Sequence, residues 1–104
     1  MRHDAQCAAT RAVAHTMNIL LVEDNERVAR FVANGMSDAG HAVDRVVTGV
    51  EALKLASSRH HDTIIVDRML PGGMDGLALI AQLRARGSTT PILILSALSD
   101  VDER

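Results

Sequence analysis

Hydrophobic and polar positions along the chain are arranged in blocks that predict four strands alternating with helices. Continuously apolar runs, typical of strands covered on both faces, occupy 18–22, 63–66 and 91–95. Residues 41–46 instead alternate apolar with polar side chains, which is expected of a strand nearer a sheet edge. Apolar residues at helical spacing fill much of the sequence between these runs. The pattern therefore predicts repeated strand–helix units.

Three helices are predicted between the strands, and a fourth begins near the end of the chain, at 100–104. Asn25 is a good N-cap for the first, Thr48 and Glu51 form a capping-box pattern for the second, and the third starts at Gly76. Their expected inward stripes are Val28, Phe31, Val32, Met36 and Ala39 in the first helix, and Leu77, Ile80, Ala81 and Leu83 in the third.

Alternating strands and helices with short connections predict right-handed crossovers and a doubly wound parallel sheet, so the fold class is α/β. The chain has 104 residues, which suits one domain. We assign 1–16 to a disordered N-terminal extension and 17–104 to the domain. In such a sheet, ligands bind beyond the carboxyl ends of the strands.

Acidic and hydroxyl side chains follow three of the predicted strands. Glu23 and Asp24 come after the first, Asp67 after the third and Ser96 after the fourth. Taken singly, the acids are better explained as helix-start or turn residues, and Ser96 as a cap. Taken together, they predict converging carboxylates, whose mutual repulsion a hard cation such as Mg²⁺ would offset.

Asp67 is the best candidate for a nucleophile, because a carboxylate beside Mg²⁺ can accept a phosphoryl group as an aspartyl phosphate. It precedes a Pro-Gly loop at 68–75 whose backbone could approach a phosphoryl group closely. Ser96, one strand over, could donate a hydrogen bond to a phosphoryl oxygen.

The amino-acid composition of the chain disfavours several classes of function. The net charge is −2 and Phe31 is the one aromatic residue, which disfavours direct DNA binding by this chain. The single cysteine, Cys7, cannot form an internal disulfide, and no apolar stretch is long enough to span a membrane. We therefore expect a cytoplasmic protein without membrane contact.

The segments ILLVEDN at 19–25, IVDRMLPG at 65–72 with Asp75-Gly76, and PILILSA at 91–97 resemble the receiver domain of bacterial two-component response regulators. The resemblance implies a flavodoxin-like fold and a histidine kinase, or a small acyl phosphate, as phosphoryl donor. It implies these roles: Glu23, Asp24 and Asp67 as Mg²⁺ ligands, the Met69 carbonyl as a further ligand, Asp67 as phosphoacceptor, and Ser96 as switch hydroxyl. The loop is most similar to that of regulators with a DNA-binding winged helix, which implies a role in transcription through an output domain outside this chain.

The chain departs from the family pattern in two ways. Its loop at 71–76 has one glycine more than the commonest spacing. The family also continues into a fourth helix, a fifth strand ending in an active-site lysine, and a fifth helix, whereas this sequence ends at Arg104 and its single lysine is Lys54. We therefore expect an incomplete sheet of strand order 2-1-3-4 whose exposed fourth strand forms a homodimer or a domain-swapped oligomer.

Three functions remain open from the sequence. The favoured one is a phosphorylatable receiver, a signalling switch with Mg²⁺-dependent self-phosphorylation and dephosphorylation rather than an enzyme. The second is a pseudo-receiver or oligomerisation module without phosphotransfer, suggested by the lysine's absence. The third, an aspartate-nucleophile phosphohydrolase, is disfavoured because Asp67-Arg68-Met69 lacks a second carboxylate two residues on.

Overall fold

Strand and helix alternate throughout the part of the chain that the computed structural model describes, residues 16–95. The strands are β1 (Asn18–Val22), β2 (Ala42–Val46), β3 (Thr63–Val66) and β4 (Ile92–Ile94). The helices are α1 (Glu26–Asp38), α2 (Gly49–Ser58) and α3 (Gly76–Ala85). Three sequence predictions lie outside the described residues: the extension before residue 16, the hydroxyl of Ser96 and the helix start at 100–104.

All four described strands are parallel and pair in the order β2-β1-β3-β4. This confirms the predicted doubly wound sheet and its strand order. Leu21 of β1 lies between Arg45 of β2 and Ile65 of β3. The alternating strand β2 is at an edge, as its pattern predicts. No helix among residues 16–95 has the length and apolar character needed to cross a membrane.

The hydrophobic core lies on both faces of the sheet because successive strand residues point to opposite sides. On one face, Leu20, Val22, Ile64 and Val66 pack with buried residues of α2 and α3, namely Ala52, Leu53, Leu79 and Leu83. On the other face, Ile19, Leu21 and Ile65 pack with Ala29 of α1. Burying each of the larger aliphatic side chains stabilises the fold by about 1.5–3 kcal/mol, so β1 and β3 anchor the domain.

The predicted inward stripes were partly wrong. Phe31 is 78% exposed, and the buried residue of α1 is the small Ala29, with Val32 and Met36 half-buried. In α3, Leu79 and Leu83 are buried, whereas Leu77 is 47% exposed. Apolar spacing alone placed the stripes. In α1 the buried residue is small and the bulky Phe31 lies outside the contact, whereas in α3 two leucines are buried.

All three helices begin at the carboxyl edge of the sheet, where polar side chains cap their free N–H groups. The side chain of Asn25 accepts from the N–H of Val28 at 3.0 Å, and that of Asp75 accepts from Ala78 at 2.8 Å. The predicted capping box of α2 is present, with Thr48 and Glu51 each bonding the other's backbone N–H. These caps fix where each connection from the preceding strand ends.

Gly76 holds the long loop after β3 against the sheet. Its N–H donates to the carbonyl of Arg68 at 2.8 Å, which joins the two ends of the loop. A Cβ at this position would fall on the carbonyl oxygen of Asp67 and 2.8 Å from Cα of Arg68. Backbone atoms cannot move aside as a flexible side chain can, so the close approach requires glycine.

We expect Gly76→Ala to lower the free energy of unfolding by about 1–3 kcal/mol, because the added methyl group overlaps backbone atoms. Gly35→Ala, in α1, is the matched control: a Cβ there meets no atom within 4 Å. Alanine should stabilise that helix by about 0.5–1 kcal/mol. Urea denaturation of both variants checks this, and equal effects at the two glycines would contradict it.

Candidate functional site

The register of β1 and β3 brings two acidic residues together at the carboxyl edge of the sheet. Val22 pairs with Val66, so the next residues, Glu23 and Asp67, follow side by side. The ladder continues past the strand ends: the N–H of Asp67 donates to the carbonyl of Val22 at 2.9 Å, and that of Glu23 to Val46 at 3.1 Å. Both residues therefore have a fixed backbone.

Three carboxylates converge here, as the sequence predicts. Ligand oxygens of Glu23, Asp24 and Asp67 all lie within 4.8 Å of one another. Glu23 is 2% exposed and Asp67 8% exposed, whereas Asp24 is exposed. The cluster thus has two buried carboxylates and one that faces solvent.

Burial and like charge make this cluster electrostatically unfavourable. Burial, followed by the charges of Asp67 and Asp24, raises the pKa of Glu23 from 4.5 to about 7. The N–H of Asn25, which donates to Oε2 of Glu23 at 3.0 Å, opposes this rise and orients the carboxylate. The side chain is therefore fixed in an environment that disfavours its charge.

Arg45 stabilises the acidic turn by binding its backbone, and it does not pair with the carboxylates of the cluster. Its Nε and Nη2 donate to the backbone carbonyl of Glu23 at 3.0 and 2.8 Å. Its Nη1 donates to Glu26 at 2.9 Å, and this contact lowers the pKa of the Glu26 carboxyl. Sequence reasoning missed this role; the available signal was an arginine at the carboxyl end of an edge strand beside an acidic turn.

The loop after β3 orients Asp67. The N–H of Met69 donates to Oδ1 of Asp67 at 3.2 Å, while the Met69 side chain is 66% exposed. Met69 thus contacts the cluster region through its backbone, and its role as a carbonyl ligand stays a prediction. Gly76 was also missed as a site residue, although glycine at the start of a helix is a signal of close backbone approach.

The donor set fits a hard divalent cation. All three ligand groups are carboxylates, and Mg²⁺ prefers oxygen ligands and retains several waters, which the exposed side at Asp24 can admit. A cation would also offset the burial of charge and the repulsion from Asp67 and Asp24 that together raise the pKa of Glu23.

A doubly wound sheet with a buried aspartate and two further acids at its carboxyl edge has the donor arrangement of an α/β domain that binds a divalent cation. The chain belongs to the response regulator receiver domain family, whose model matches residues 19–104. The resemblance inferred from the sequence is therefore confirmed. Domains of this family act as signalling switches.

Curated relatives include transcriptional regulators. The chain is 43% identical over 88 residues to the transcriptional regulatory protein HprR of Escherichia coli, covering 85% of this chain and 39% of the relative. It is 43% identical over 81 residues to the two-component response regulator PhoP of Pseudomonas aeruginosa, covering 78% and 36%. The chain thus spans about two fifths of the length of these relatives.

Solved structures agree with the fold. A receiver domain of a Francisella response regulator superposes with a TM-score of 0.75 at 32% identity, covering 80% of this chain and 68% of that one. The chemotaxis protein CheY4 of Vibrio cholerae gives a TM-score of 0.71 at 31% identity, covering 76% and 67%. The predicted flavodoxin-like receiver fold is therefore confirmed for the described strands.

We expect the metal-free chain to lose stability as pH rises from 4.5 to about 7, because the pKa of Glu23 is higher in the folded chain than its usual value. Below pH 4.5 the group is protonated in both states and the penalty vanishes. Glu23→Gln should therefore stabilise the metal-free chain by about 1–2 kcal/mol above neutral pH and by little in acid.

Chemical denaturation across this pH range, in metal-free buffer, measures the effect. Asp38→Asn, which removes an exposed carboxylate at the end of α1, is the matched control and should leave the pH profile unchanged. A Glu23→Gln profile parallel to that of the wild type would contradict the prediction.

Proposed function

We propose that this chain is the phosphoacceptor domain of a two-component response regulator, phosphorylated on Asp67 by a histidine kinase in the cytoplasm. The observation that carries the proposal is the convergence of Glu23, Asp24 and Asp67 within 4.8 Å in a chain of the receiver family. The sheet places these acids at its carboxyl edge, where a ligand of a doubly wound fold binds.

In this proposal the carboxylates of Glu23, Asp24 and Asp67, with the carbonyl of Met69, hold Mg²⁺. The bound cation would neutralise negative charge on the phosphoryl oxygens. Support comes from the all-oxygen donor set and from the burial and like charge that raise the pKa of Glu23. The N–H of Asn25 and the guanidinium of Arg45 would keep the Glu23 turn in place.

The proposed reaction is transfer of a phosphoryl group to a carboxylate oxygen of Asp67. The new O–P bond forms as the bond from phosphorus to the donor breaks, and the donor's imidazole nitrogen or acyl oxygen retains that electron pair. Met69, whose N–H donates to Oδ1 of Asp67, would limit rotation of the nucleophile. The near-complete burial of Asp67 would restrict attack by water.

Ser96 is proposed as the switch hydroxyl that bonds the phosphorylated Asp67. The supporting observation is the pairing beside it: the N–H of Leu95 donates to the carbonyl of Val66 at 2.9 Å. In the sequence, Ser96 directly follows Leu95 and Asp67 directly follows Val66.

Regulation of transcription is proposed from the relatives, whose names describe transcriptional regulators. DNA recognition is assigned to an output domain distinct from this receiver chain. The net charge of −2 and the single aromatic residue support that division, because DNA-binding surfaces are basic. We also retain the domain assignment of 17–104 as the receiver, preceded by an extension at 1–16.

We further propose that a second copy of this chain pairs through β4. Within residues 16–95, β4 pairs with β3 alone, and Leu93 and Ile94 are 58% and 41% exposed. An apolar groove of about 400 Å³ runs between α1 and the sheet beside it, lined in part by Phe31, Met36 and Ile65. An apolar strand edge with free backbone groups is a template for another strand, by direct pairing or by a domain swap.

Incubation with Mg²⁺ and acetyl phosphate, followed by intact mass spectrometry, tests the phosphoryl-acceptor assignment. We expect one phosphoryl adduct on the wild-type chain and none on Asp67→Asn. Asp75→Asn is the matched control: it keeps the helix cap, because asparagine also accepts there, and should be modified like the wild type. Omitting Mg²⁺ should abolish the adduct.

Two results would contradict the assignment. An adduct that persists in Asp67→Asn would place the acceptor elsewhere. Absence of any adduct on a folded, Mg²⁺-binding wild-type chain would favour the pseudo-receiver, whereas rapid release of inorganic phosphate without a stable adduct would favour the phosphohydrolase.

Light scattering coupled to size-exclusion chromatography tests the pairing. We expect a dimer or larger oligomer for the wild type and a shift towards monomer for Leu93→Lys, because a charge at a strand edge opposes pairing. Leu77→Lys, at a similarly exposed leucine of α3, is the matched control and should not change the mass. A monomeric wild type, or equal effects of both substitutions, would overturn the proposal.

A further inference from the structure

The backbone carbonyl of Glu23 lies where β1 and its neighbour β2 separate. Up to this point the two strands pair, and the N–H of Glu23 still donates to the carbonyl of Val46 at 3.1 Å. Beyond Val46 the chain turns into α2, and the N–H groups of Val47 and Thr48 donate to Oε1 of Glu51 at 3.0 and 3.3 Å. The next backbone donors after β2 are therefore occupied within the cap of α2.

Arg45 supplies donors at the point where the backbone pairing of β1 and β2 stops. Its Nε and Nη2 donate to the carbonyl of Glu23 at 3.0 and 2.8 Å, and its Nη1 donates to Glu26 at 2.9 Å. Two donors from one rigid, planar group restrict the orientation of the carbonyl that they share. The Arg45 side chain is 26% exposed, which reduces competition from water for these bonds.

An ion pair between Arg45 and Glu26 does not by itself account for this arrangement. The Glu26 side chain is 66% exposed, and exposed ion pairs contribute little to stability. Two of the three hydrogen bonds from Arg45 go to an uncharged backbone oxygen instead. The side chain therefore acts mainly on the backbone of the acidic turn.

The peptide bond whose carbonyl Arg45 holds joins two of the three acids of the cluster. Glu23 is buried, and its carboxylate is oriented by the N–H of Asn25 at 3.0 Å. Asp24 is exposed, so packing does little to fix its carboxylate. Repulsion from Glu23 also favours a greater separation of the two charges. The position of Asp24 thus depends on the peptide plane that links it to Glu23.

We propose that Arg45 is a positioning residue of the acidic cluster, which holds the peptide plane between Glu23 and Asp24 so that their carboxylates keep the spacing at which the cluster binds Mg²⁺. The ligand oxygens of the three acids lie within 4.8 Å of one another. This role rests on the metal site of the proposed function and adds to it a residue that supplies no ligand atom.

Charge and position predict opposite effects of removing the Arg45 side chain. Its guanidinium is a cation near the site, so its charge alone opposes the binding of Mg²⁺, and Arg45→Gln would then strengthen that binding. Loss of a group that orients metal ligands instead weakens metal binding, typically by about 10–100-fold. The direction of the change therefore separates the two roles.

Titration of the full chain with Mg²⁺, followed through the amide NMR signals of residues 23, 24 and 67, measures the dissociation constant of the metal. We expect Arg45→Gln to raise this constant by about tenfold. Urea denaturation in metal-free buffer shows whether each variant is folded. A purely structural role would lower stability in urea without changing the dissociation constant of the folded chain.

Two further variants complete the experiment. Arg30→Gln is the matched control, because it removes a second arginine that pairs with Glu26, at 3.4 Å, from a position outside the acidic turn. It should not weaken Mg²⁺ binding. Arg45→Lys keeps the charge but replaces the planar fork by a single ammonium group, and it should recover only part of the affinity lost in Arg45→Gln.

An unchanged or smaller dissociation constant in Arg45→Gln would overturn the proposal, and so would an equal loss of affinity in Arg30→Gln. Full recovery in Arg45→Lys would also overturn it, because the two-point contact would then not be needed. If Arg45→Gln does not fold, Arg45→Lys decides the question: weaker Mg²⁺ binding supports the role of Arg45, and unchanged binding contradicts it.

Failure of the Arg45 role is distinguishable from failure of the phosphoryl-acceptor role. A wild-type chain that binds Mg²⁺ but is not modified by acetyl phosphate would contradict the role of Asp67 and leave the Arg45 result standing. A wild-type chain whose amide signals at 23, 24 and 67 do not respond to Mg²⁺ would contradict the metal site, and the role of Arg45 with it.

Discussion

The buried packing of β1 and β3 is the constraint on which the site depends, because it holds the carboxyl groups of Glu23 and Asp67 side by side with little access to water. Each follows a strand whose side chains are almost fully buried, so moving either carboxylate away would disturb the core. Burial of the β1 and β3 side chains stabilises the fold by several kcal/mol, which exceeds the cost of the raised pKa of Glu23. Core packing thus maintains a site that its own electrostatics oppose.

Features that depend on strand order and on strand ends could be predicted from the sequence. Parallel strands align their carboxyl ends, so residues 23, 24 and 67 had to meet once the apolar runs were identified as strands. Contacts between side chains of different elements could not be predicted from the sequence. The brace from Arg45 to the Glu23 carbonyl joins residues 22 positions apart, and periodicity carries no information about such contacts.

The predicted inward face of the helices was partly wrong for a related reason. The apolar pattern of α1 counted Phe31 as a core residue, yet the buried residue of this helix is Ala29. Likewise, His60-His61-Asp62 has the composition of a polar turn, and only the tertiary structure shows that His61 is enclosed while His60 is 80% exposed. The size of each side chain and its enclosure by neighbouring elements, rather than its hydrophobicity, therefore determine whether these residues are buried.

The central position of β1 has a consequence for the order of folding. Beside its start, the contact from Met17 to His41 closes a separation of 24 residues, whereas that from Asn18 to Asp62 closes 44. Longer separations cost more chain entropy to close, so the β1–α1–β2 unit can form before β3 joins it. Asp67 reaches Glu23 only in that later step. In any state in which β3 has not paired with β1, the acidic cluster and its charge repulsion are therefore absent.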